Sequence, residues 1–231
     1  MIRLRSLIRK TGLARVIGYI RDAKYKEDEY YEKQFGSSML SQIKSGDVVW
    51  DIGANIGFYT GKFIDKVGPG GVVVCFEPAS ACFRLLTQKY NNLNNLCLEN
   101  VAVGSEDGEG YLSLDENPLA ATHQVACESN MIAGSRNMER ISIVSGDSYR
   151  EARKITPNVI KIDVEGYEEE VLLGMKRLVH SSKLRAIFCE VHFSLLEKRG
   201  KKMAPCRIEK FLLDAGYQTT WLDLSHLQAV R

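Results

Sequence analysis

The hydrophobic pattern of the chain changes period along its length. Residues 2–10 place Leu4, Leu7 and Ile8 at helical spacing, and Thr11-Gly12 reads as a break. Leu13, Val16, Ile17 and Ile20 then repeat the helical spacing. A charged stretch from Lys24 to Lys33 leads into a helix predicted to end near Lys44, stopped by Ser45-Gly46-Asp47. Beyond it, short apolar runs alternate with amphipathic segments. Val48 to Ile52, Val72 to Glu77, Leu96 to Val103, Val159 to Asp163 and Leu184 to Val191 read as five strands. Phe58–Val67, Phe83–Tyr90, Glu168 to about Val179, and Ile208–Asp214 read as helices between or after them. Tyr217–Leu222 and Leu227–Val230 look like a closing hairpin.

Strands that are apolar throughout, separated by amphipathic helices, predict an α/β fold whose parallel sheet is covered on both faces. Residues 105–153 fit this rhythm less well and read as an inserted β-pair with a long loop. Composition adds that the 231 residues, 45% hydrophobic and 26% charged, have the make-up of a globular domain. The net charge of +2 hides an asymmetry: residues 1–26 carry eight cations and one anion, leaving 23 positive and 28 negative charges on residues 27–231. The division expected is a basic amphipathic arm, 1–26, ahead of a single globular domain, 27–231. Such an arm can pack on its own domain, pair two copies, or lie on an anionic membrane surface. A nucleic-acid partner is unlikely because the basic character does not continue onto the body.

Three of the six cysteines (Cys75, Cys97, Cys189) sit inside apolar runs, and none forms a C-x-x-C pair. No run reaches the roughly 18 apolar residues of a membrane helix. The apolar stretch Leu13–Ile20 is broken by Arg15 and Gly18, unlike a secretion signal. These features predict a cytoplasmic protein.

The most informative stretch runs from Val48 to Thr60, where a strand enters a glycine-bearing turn and then a helix. Gly53 and Gly57 allow close approach of a ligand, and Asp51 is expected to face the crevice. Glu77, at the end of the second strand, is placed to accept hydrogen bonds from a ribose diol. A dinucleotide loop wants a glycine where Asn55 stands, and an acid beside the turn suits a cationic ligand such as S-adenosylmethionine. A nicotinamide-dependent oxidoreductase is the alternative from another class, and a non-catalytic cofactor-binding scaffold is a third reading.

Two further groups end strands. Asp163 and Glu165 are two residues apart, as are Glu190 and His192, so each pair shares one side of an extended segment. Asp163 is read as orienting the cofactor's ammonium or the acceptor, and Glu165, Glu190 or His192 as general base toward a hydroxyl. Asp163, Glu190 and His192 have donors that suit Mg²⁺ or Mn²⁺, but their spacing requires no metal. His123, His180 and His226 read as surface residues, with His123 on the insertion that could fold over the cleft.

Asp51-Ile-Gly-Ala-Asn-Ile-Gly57, Phe76-Glu77-Pro78, Asn100-Val-Ala-Val-Gly104 and Lys161-Ile-Asp-Val-Glu-Gly-Tyr-Glu168 together resemble the successive motifs of FkbM-type methyltransferases. The resemblance runs from about Gly46 to Val230. It implies an S-adenosylmethionine-dependent O-methyltransferase with a seven-stranded, Rossmann-like class I sheet, acting on a hydroxyl of a sugar or glycoconjugate. It further implies that Asp51, Gly53, Asn55 and Gly57 line the methionine end of the cofactor, that Glu77 holds the ribose, and that Asn100 to Ala102 lie beside adenine. Residues 1–30 and the loop from Ala120 to Met138 match nothing in the family's pattern.

Overall fold

The computed structural model describes residues 29–91, 93–114, 123–126 and 138–231. The basic arm and most of the loop between Ala120 and Met138 lie outside these residues. Five runs of the sequence pattern become the core of one sheet: β1 (Val48–Ile52), β2 (Val72–Phe76), β3 (Leu96–Glu99), β8 (Val159–Ile162) and β9 (Ala186–Glu190) are all parallel. The predicted hairpin, β10 (Gln218–Trp221) and β11 (His226–Val230), adds antiparallel to β9. The strand order is β10-β11-β9-β8-β1-β2-β3, with β1 at the point where the order reverses direction. Ligands in such sheets bind beyond the carboxyl ends of the strands at that point.

Alternation along the strands sorts the sheet into two buried faces. Trp50, Ile52, Val74, Phe76, Ile160 and Ile162 point to one side, where they meet α5 (Glu168–Leu173) and α7 (Ala204–Asp214). Val49, Val73, Cys75, Val159 and Phe188 point to the other, covered by α1 (Glu29–Gln42), α2 (Thr60–Val67) and α3 (Ser80–Lys89). Phe35, Met39 and Ile43 of the α1 segment repeat every four residues and are all buried. Each such side chain contributes about 1.5–3 kcal/mol, so the apolar stripe holds α1 to the sheet.

The run from Leu96 to Val103 is not one strand. It breaks at Asn100-Val101, and β4 (Ala102–Gly104) leaves the first sheet. The cause is tertiary: the Asn100 amide donates to the carbonyls of Glu77 (2.8 Å) and Pro78 (3.0 Å), turning the chain across the end of β2. β4 then joins β5 (Gly108–Ser113), β6 (Gln124–Ala126) and β7 (Met138–Ser145) in a four-stranded sheet ordered β4-β7-β5-β6. α4 (Gly146–Arg153) follows, opened by Ser145, whose side chain accepts the Ser148 N–H.

The helix predicted to run to Val179 stops at Gly174. A Cβ at Gly174 would stand 1.8 Å from the Gly104 carbonyl oxygen, so this bare backbone lets α5 pack against β4. A short 3₁₀ turn, Leu178–His180, completes the segment. α7 begins four residues earlier than its apolar pattern indicates, with Pro205 in its first turn. α6 (Phe193–Lys198) is too short to have shown a period in the sequence. Among the described residues no helix is long and apolar enough to cross a membrane.

Candidate active site

The carboxyl ends of β1, β2 and β8 open on a cleft of about 610 Å³, counting the solvent at its mouth. One end is apolar, walled by Val101, Ala102 and Val103 from the broken strand and by Leu112 and Val125 from the four-stranded sheet. Glu77, Asp163, Val164, Glu165 and Tyr167 also line the cleft. His123, read from the sequence as a surface residue on an insertion able to fold over the cleft, lines it too.

The β1–α2 loop is held in an unusual backbone shape. Gly53, Asn55 and Gly57 all have positive φ, at 77°, 50° and 82°. The Gly53 and Ala54 N–H groups both donate to the Phe76 carbonyl, at 3.0 and 3.1 Å. A Cβ on Gly53 would meet the Asp163 carbonyl oxygen at 1.8 Å. The loop is thus pressed onto the start of the segment that follows β8. Glu77 locks it from the other side: its two oxygens accept the N–H groups of Asn55 (2.7 Å) and Ala79 (2.8 Å). Burial pushes the Glu77 carboxyl up to about 7, and those two N–H groups pull against it.

Gly53, Asn55, Glu77, Ala102, Asp163 and Glu165 line the cleft. Asp51, Gly57, Asn100, Glu190 and His192 are not among its lining residues, and Asp51, expected to face the crevice, does not. Asp51 shares a face with Val49, and so points under the loop toward α2 rather than out into the crevice. It is fully buried, stands opposite Lys161 in the β1–β8 register, and accepts from the Thr60 hydroxyl at 2.9 Å. Gly57 packs against α3, its carbonyl accepting from the Tyr90 hydroxyl at 3.0 Å. Asn100 shapes the wall by turning the chain.

Lys161 is the largest omission from the sequence reading. Its ammonium donates to the Gly53 carbonyl at 2.8 Å and lies 3.3 Å from an oxygen of both Asp51 and Asp163. Burial disfavours its charge, but the two carboxylates outweigh that and raise its pKa. A lysine in the middle of the apolar run Val159–Ile162 was the available signal, because a buried cation needs partners.

Asp163, Glu165, Glu190 and His192 converge as their spacing indicated. The His192 Nε2 stands 3.4 Å from Glu165 Oε2, 3.8 Å from Asp163 Oδ1 and 3.9 Å from Glu190 Oε1. Its Nδ1 is 2.7 Å from Oε1 of the fully buried Glu168, which also accepts the Gly166 N–H at 2.8 Å. Burial lowers the pKa of His192, but the surrounding carboxylates, Glu165 first, hold it well above the usual imidazole range. Burial pushes Glu165 up to about 7 against the pull of His192, with Asp163 and Glu190 adding to the rise. Glu165 and Gly166 both have positive φ, 51° and 91°, so the turn aims the carboxylate at the imidazole at a conformational cost. One oxygen each of Asp163 and Glu165 and a nitrogen of His192 lie within 4.8 Å of one another, close enough to hold a metal ion together. Glu165, not Glu190, is the third member.

His226 is not a surface residue. It is fully buried and stacked on Phe35 of α1, with ring centroids 3.9 Å apart. Its Nδ1 is 2.7 Å from Asp223 and its Nε2 is 3.4 Å from Glu190. Burial opposes its charge, but those acids raise it to about 9. His180 is exposed, as expected.

Residues 51–219 match the model of the methyltransferase FkbM domain. In sequence the chain is similar to the hexuronic acid methyltransferase AglP of Haloferax volcanii, 32% identical over 157 residues. That alignment covers 67% of this chain and 59% of AglP. In fold it is similar to a crystal structure of methyltransferase FkbM from Methylobacillus flagellatus, with a TM-score of 0.54 at 13% identity. That superposition covers 97% of this chain and 60% of the other. The chain therefore spans about three-fifths of the length of these two relatives. The mostly parallel seven-stranded sheet with its antiparallel closing hairpin is a Rossmann-like class I methyltransferase fold. No nicotinamide-dependent oxidoreductase is needed to explain it: by the match of residues 51–219, this chain belongs to the FkbM methyltransferase domain family.

Proposed function

We propose that this chain transfers a methyl group from S-adenosylmethionine to a hydroxyl of a sugar or glycoconjugate. A uronic acid is the first acceptor to try, because the 32% identical relative is named for that substrate. The observation that carries the reading is the make-up of the cleft: an apolar slot that Glu77 also lines, with Asp163 and Glu165 of the carboxylate–imidazole cluster in its wall. The slot between Val101, Ala102, Leu112 and Val125 suits the flat base of the cofactor. Glu77 has lone pairs left for the ribose hydroxyls, while Gly53 and Asn55 let the chain approach closely. Asp163 stands at the reacting end, where it orients the acceptor.

S-adenosylmethionine, when bound, supplies an electrophilic methyl carbon on a sulfonium. The protein's part is to align the acceptor oxygen and remove its proton. Glu168 is occupied by His192 and Gly166, and Asp51 by Lys161 and Thr60. Glu165 and Glu190, the latter also 3.4 Å from His226, are the acids placed beside His192 to accept that proton. His192, held among carboxylates, orients them rather than acting as the free base.

The test is calorimetric titration with S-adenosylhomocysteine and with NAD, followed by transfer of labelled methyl to uronate-bearing glycans. Glu165→Gln and Glu190→Gln should keep the affinity for S-adenosylhomocysteine and lower turnover at least about tenfold. Binding of NAD with none of S-adenosylhomocysteine would sink the proposal. Full turnover in both variants would remove the two acids from the chemistry.

Glu77 adds a pH dependence. Its ionised form is the better acceptor for ribose hydroxyls, and its carboxyl titrates at about 7 in the free protein. Affinity for S-adenosylhomocysteine should therefore be full above that value and fall as pH drops through it. The expected loss is about tenfold between pH 8 and pH 6. Glu77→Gln should weaken binding and flatten that profile; an unchanged slope in the variant would place the titration elsewhere.

The five described cysteines are free thiols, which fits a reducing compartment and the cytoplasm. The arm of residues 1–26 would bring the enzyme to an anionic membrane surface carrying glycan acceptors, or pair two copies.

A further inference from the structure

We propose that Asp163, Glu165 and His192 bind one divalent cation of the Mg²⁺ or Mn²⁺ type beside the cleft that Asp163 and Glu165 line. The use of the ion rests on the methyltransferase reading; its binding does not.

The three donors come from different places in the fold. Asp163 and Glu165 follow β8, and His192 follows β9, yet their ligand atoms lie within 4.8 Å of one another. His192 distinguishes the set from a plain acidic cluster. It is nine-tenths buried, and Glu168, itself fully buried, fixes the ring by taking Nδ1–H at 2.7 Å. A buried carboxylate holding the far nitrogen of an imidazole is the arrangement that aims metal-ligating histidines. The other nitrogen, Nε2, then points at three carboxylate oxygens, none nearer than 3.4 Å. That is beyond the 2.7–3.2 Å of an N–H···O hydrogen bond. Ligands about 2.1 Å from an octahedral ion lie roughly 3.0 Å apart, so the set closes by several tenths of an ångström and Nε2 gives up its proton as the ion binds.

Asp163 divides its oxygens accordingly. Oδ2 is 3.3 Å from the Lys161 ammonium, while Oδ1 is the oxygen turned to His192. Small rotations of the partly exposed Asp163 and Glu165 side chains bring the set to bonding distance. Two carboxylate oxygens and one imidazole nitrogen leave about half of an octahedron open toward the cleft. Acceptor hydroxyl oxygens and water are the ligands that would complete it. With Glu165 in use as a ligand, the acceptor's O–H bond breaks toward Glu190, whose carboxylate receives the proton.

The experiment takes the full 231-residue chain without a histidine tag, strips it with a chelator and titrates it with Mn²⁺. Free Mn²⁺ is read by electron paramagnetic resonance. One Mn²⁺ per chain is expected, displaced by excess Mg²⁺. Glu165→Gln and His192→Gln should each raise the Mn²⁺ dissociation constant at least tenfold while still binding S-adenosylhomocysteine. Glu109→Gln, at an exposed acid paired with Arg140, should match the parent. A stripped chain that binds S-adenosylhomocysteine but no Mn²⁺ would overturn the site, as would equal Mn²⁺ affinity in Glu165→Gln and His192→Gln. A chain that binds Mn²⁺ at these residues but not S-adenosylhomocysteine would support the ion site and sink the methyltransferase reading instead.

Discussion

Gly53→Ala is expected to cost the chain at least about 3 kcal/mol of stability and its affinity for S-adenosylhomocysteine together. The position has φ 77°, a region that L side chains rarely adopt, and the added Cβ would lie 1.8 Å from the Asp163 carbonyl oxygen. Neither partner can withdraw cheaply. The Gly53 N–H and carbonyl are tied to Phe76 and to Lys161, and the Asp163 N–H donates to Ile52 at 3.1 Å. The loss corresponds to a fall in Tm of about 6–12 °C for a chain of this size. Gly46→Ala separates the two causes. Its φ is 84°, but nothing lies within 4 Å of the new Cβ. Only the conformational cost of about 1–2 kcal/mol applies there, with ligand affinity intact. Scanning calorimetry and ligand titration on both variants make the comparison. Equal Tm losses in the two would show that the contact with Asp163 is not what fixes the loop.

The second large effect is expected from Lys161→Met. The methionine fills the space, but it leaves Asp51 fully buried without its cation and removes the donor to the Gly53 carbonyl. Breaking a buried ion pair from one side costs about 3–5 kcal/mol, since an uncompensated charge stays behind. Removing the charge as well should recover part of the loss, so Asp51→Asn combined with Lys161→Met is expected to be more stable than Lys161→Met alone. Asparagine keeps an oxygen for the Thr60 hydroxyl, which lies 2.9 Å from the carboxylate in the native chain. Urea denaturation of the parent, both single variants and the double variant gives the coupling. A Lys161→Met chain within 1 kcal/mol of the parent would mean that the two acids do not depend on this lysine.

The parts of this architecture that could be read in advance are those written locally. β1, β2, β8 and β9 are apolar on both faces because helices cover both, so each appears as a run with flanking turns. The hairpin shows itself by two short patterns around Asp223-Leu224-Ser225. What escaped was decided by a distant partner. Leu96–Val103 looks like one strand because nothing local announces that the Asn100 amide will bind two carbonyls just past the end of β2. The end of α5 at Gly174 is set by the backbone of Gly104, seventy residues earlier. The same division holds at the cleft. The two-residue spacing of Asp163 with Glu165, and of Glu190 with His192, brought all four into one cluster. Asp51 was misdirected because its facing depends on strand parity and on Lys161 across the register. Glu168 passes in a sequence as an ordinary acid in the first turn of a helix, and only the fold reveals the imidazole above it. His226 looked polar-flanked, and its neighbours Phe35 and Glu190 arrive from opposite ends of the chain.

The register of β1 against β8, with Val49 beside Val159 and Asp51 beside Lys161, sets a timetable as well as a shape. The loop after β1 leaves a ribosome long before the residues that brace it. Asp163 and Lys161 follow more than a hundred positions later, and until they pair, Asp51 lacks its cation and Gly53 its backstop. Contacts so distant along the chain form late in folding. A nascent chain released after residue 153 would own the glycine turn and Glu77, yet have no rigid place to put a ligand. Competence to hold the cofactor is therefore acquired only once β8 fills the central gap between β1 and β9.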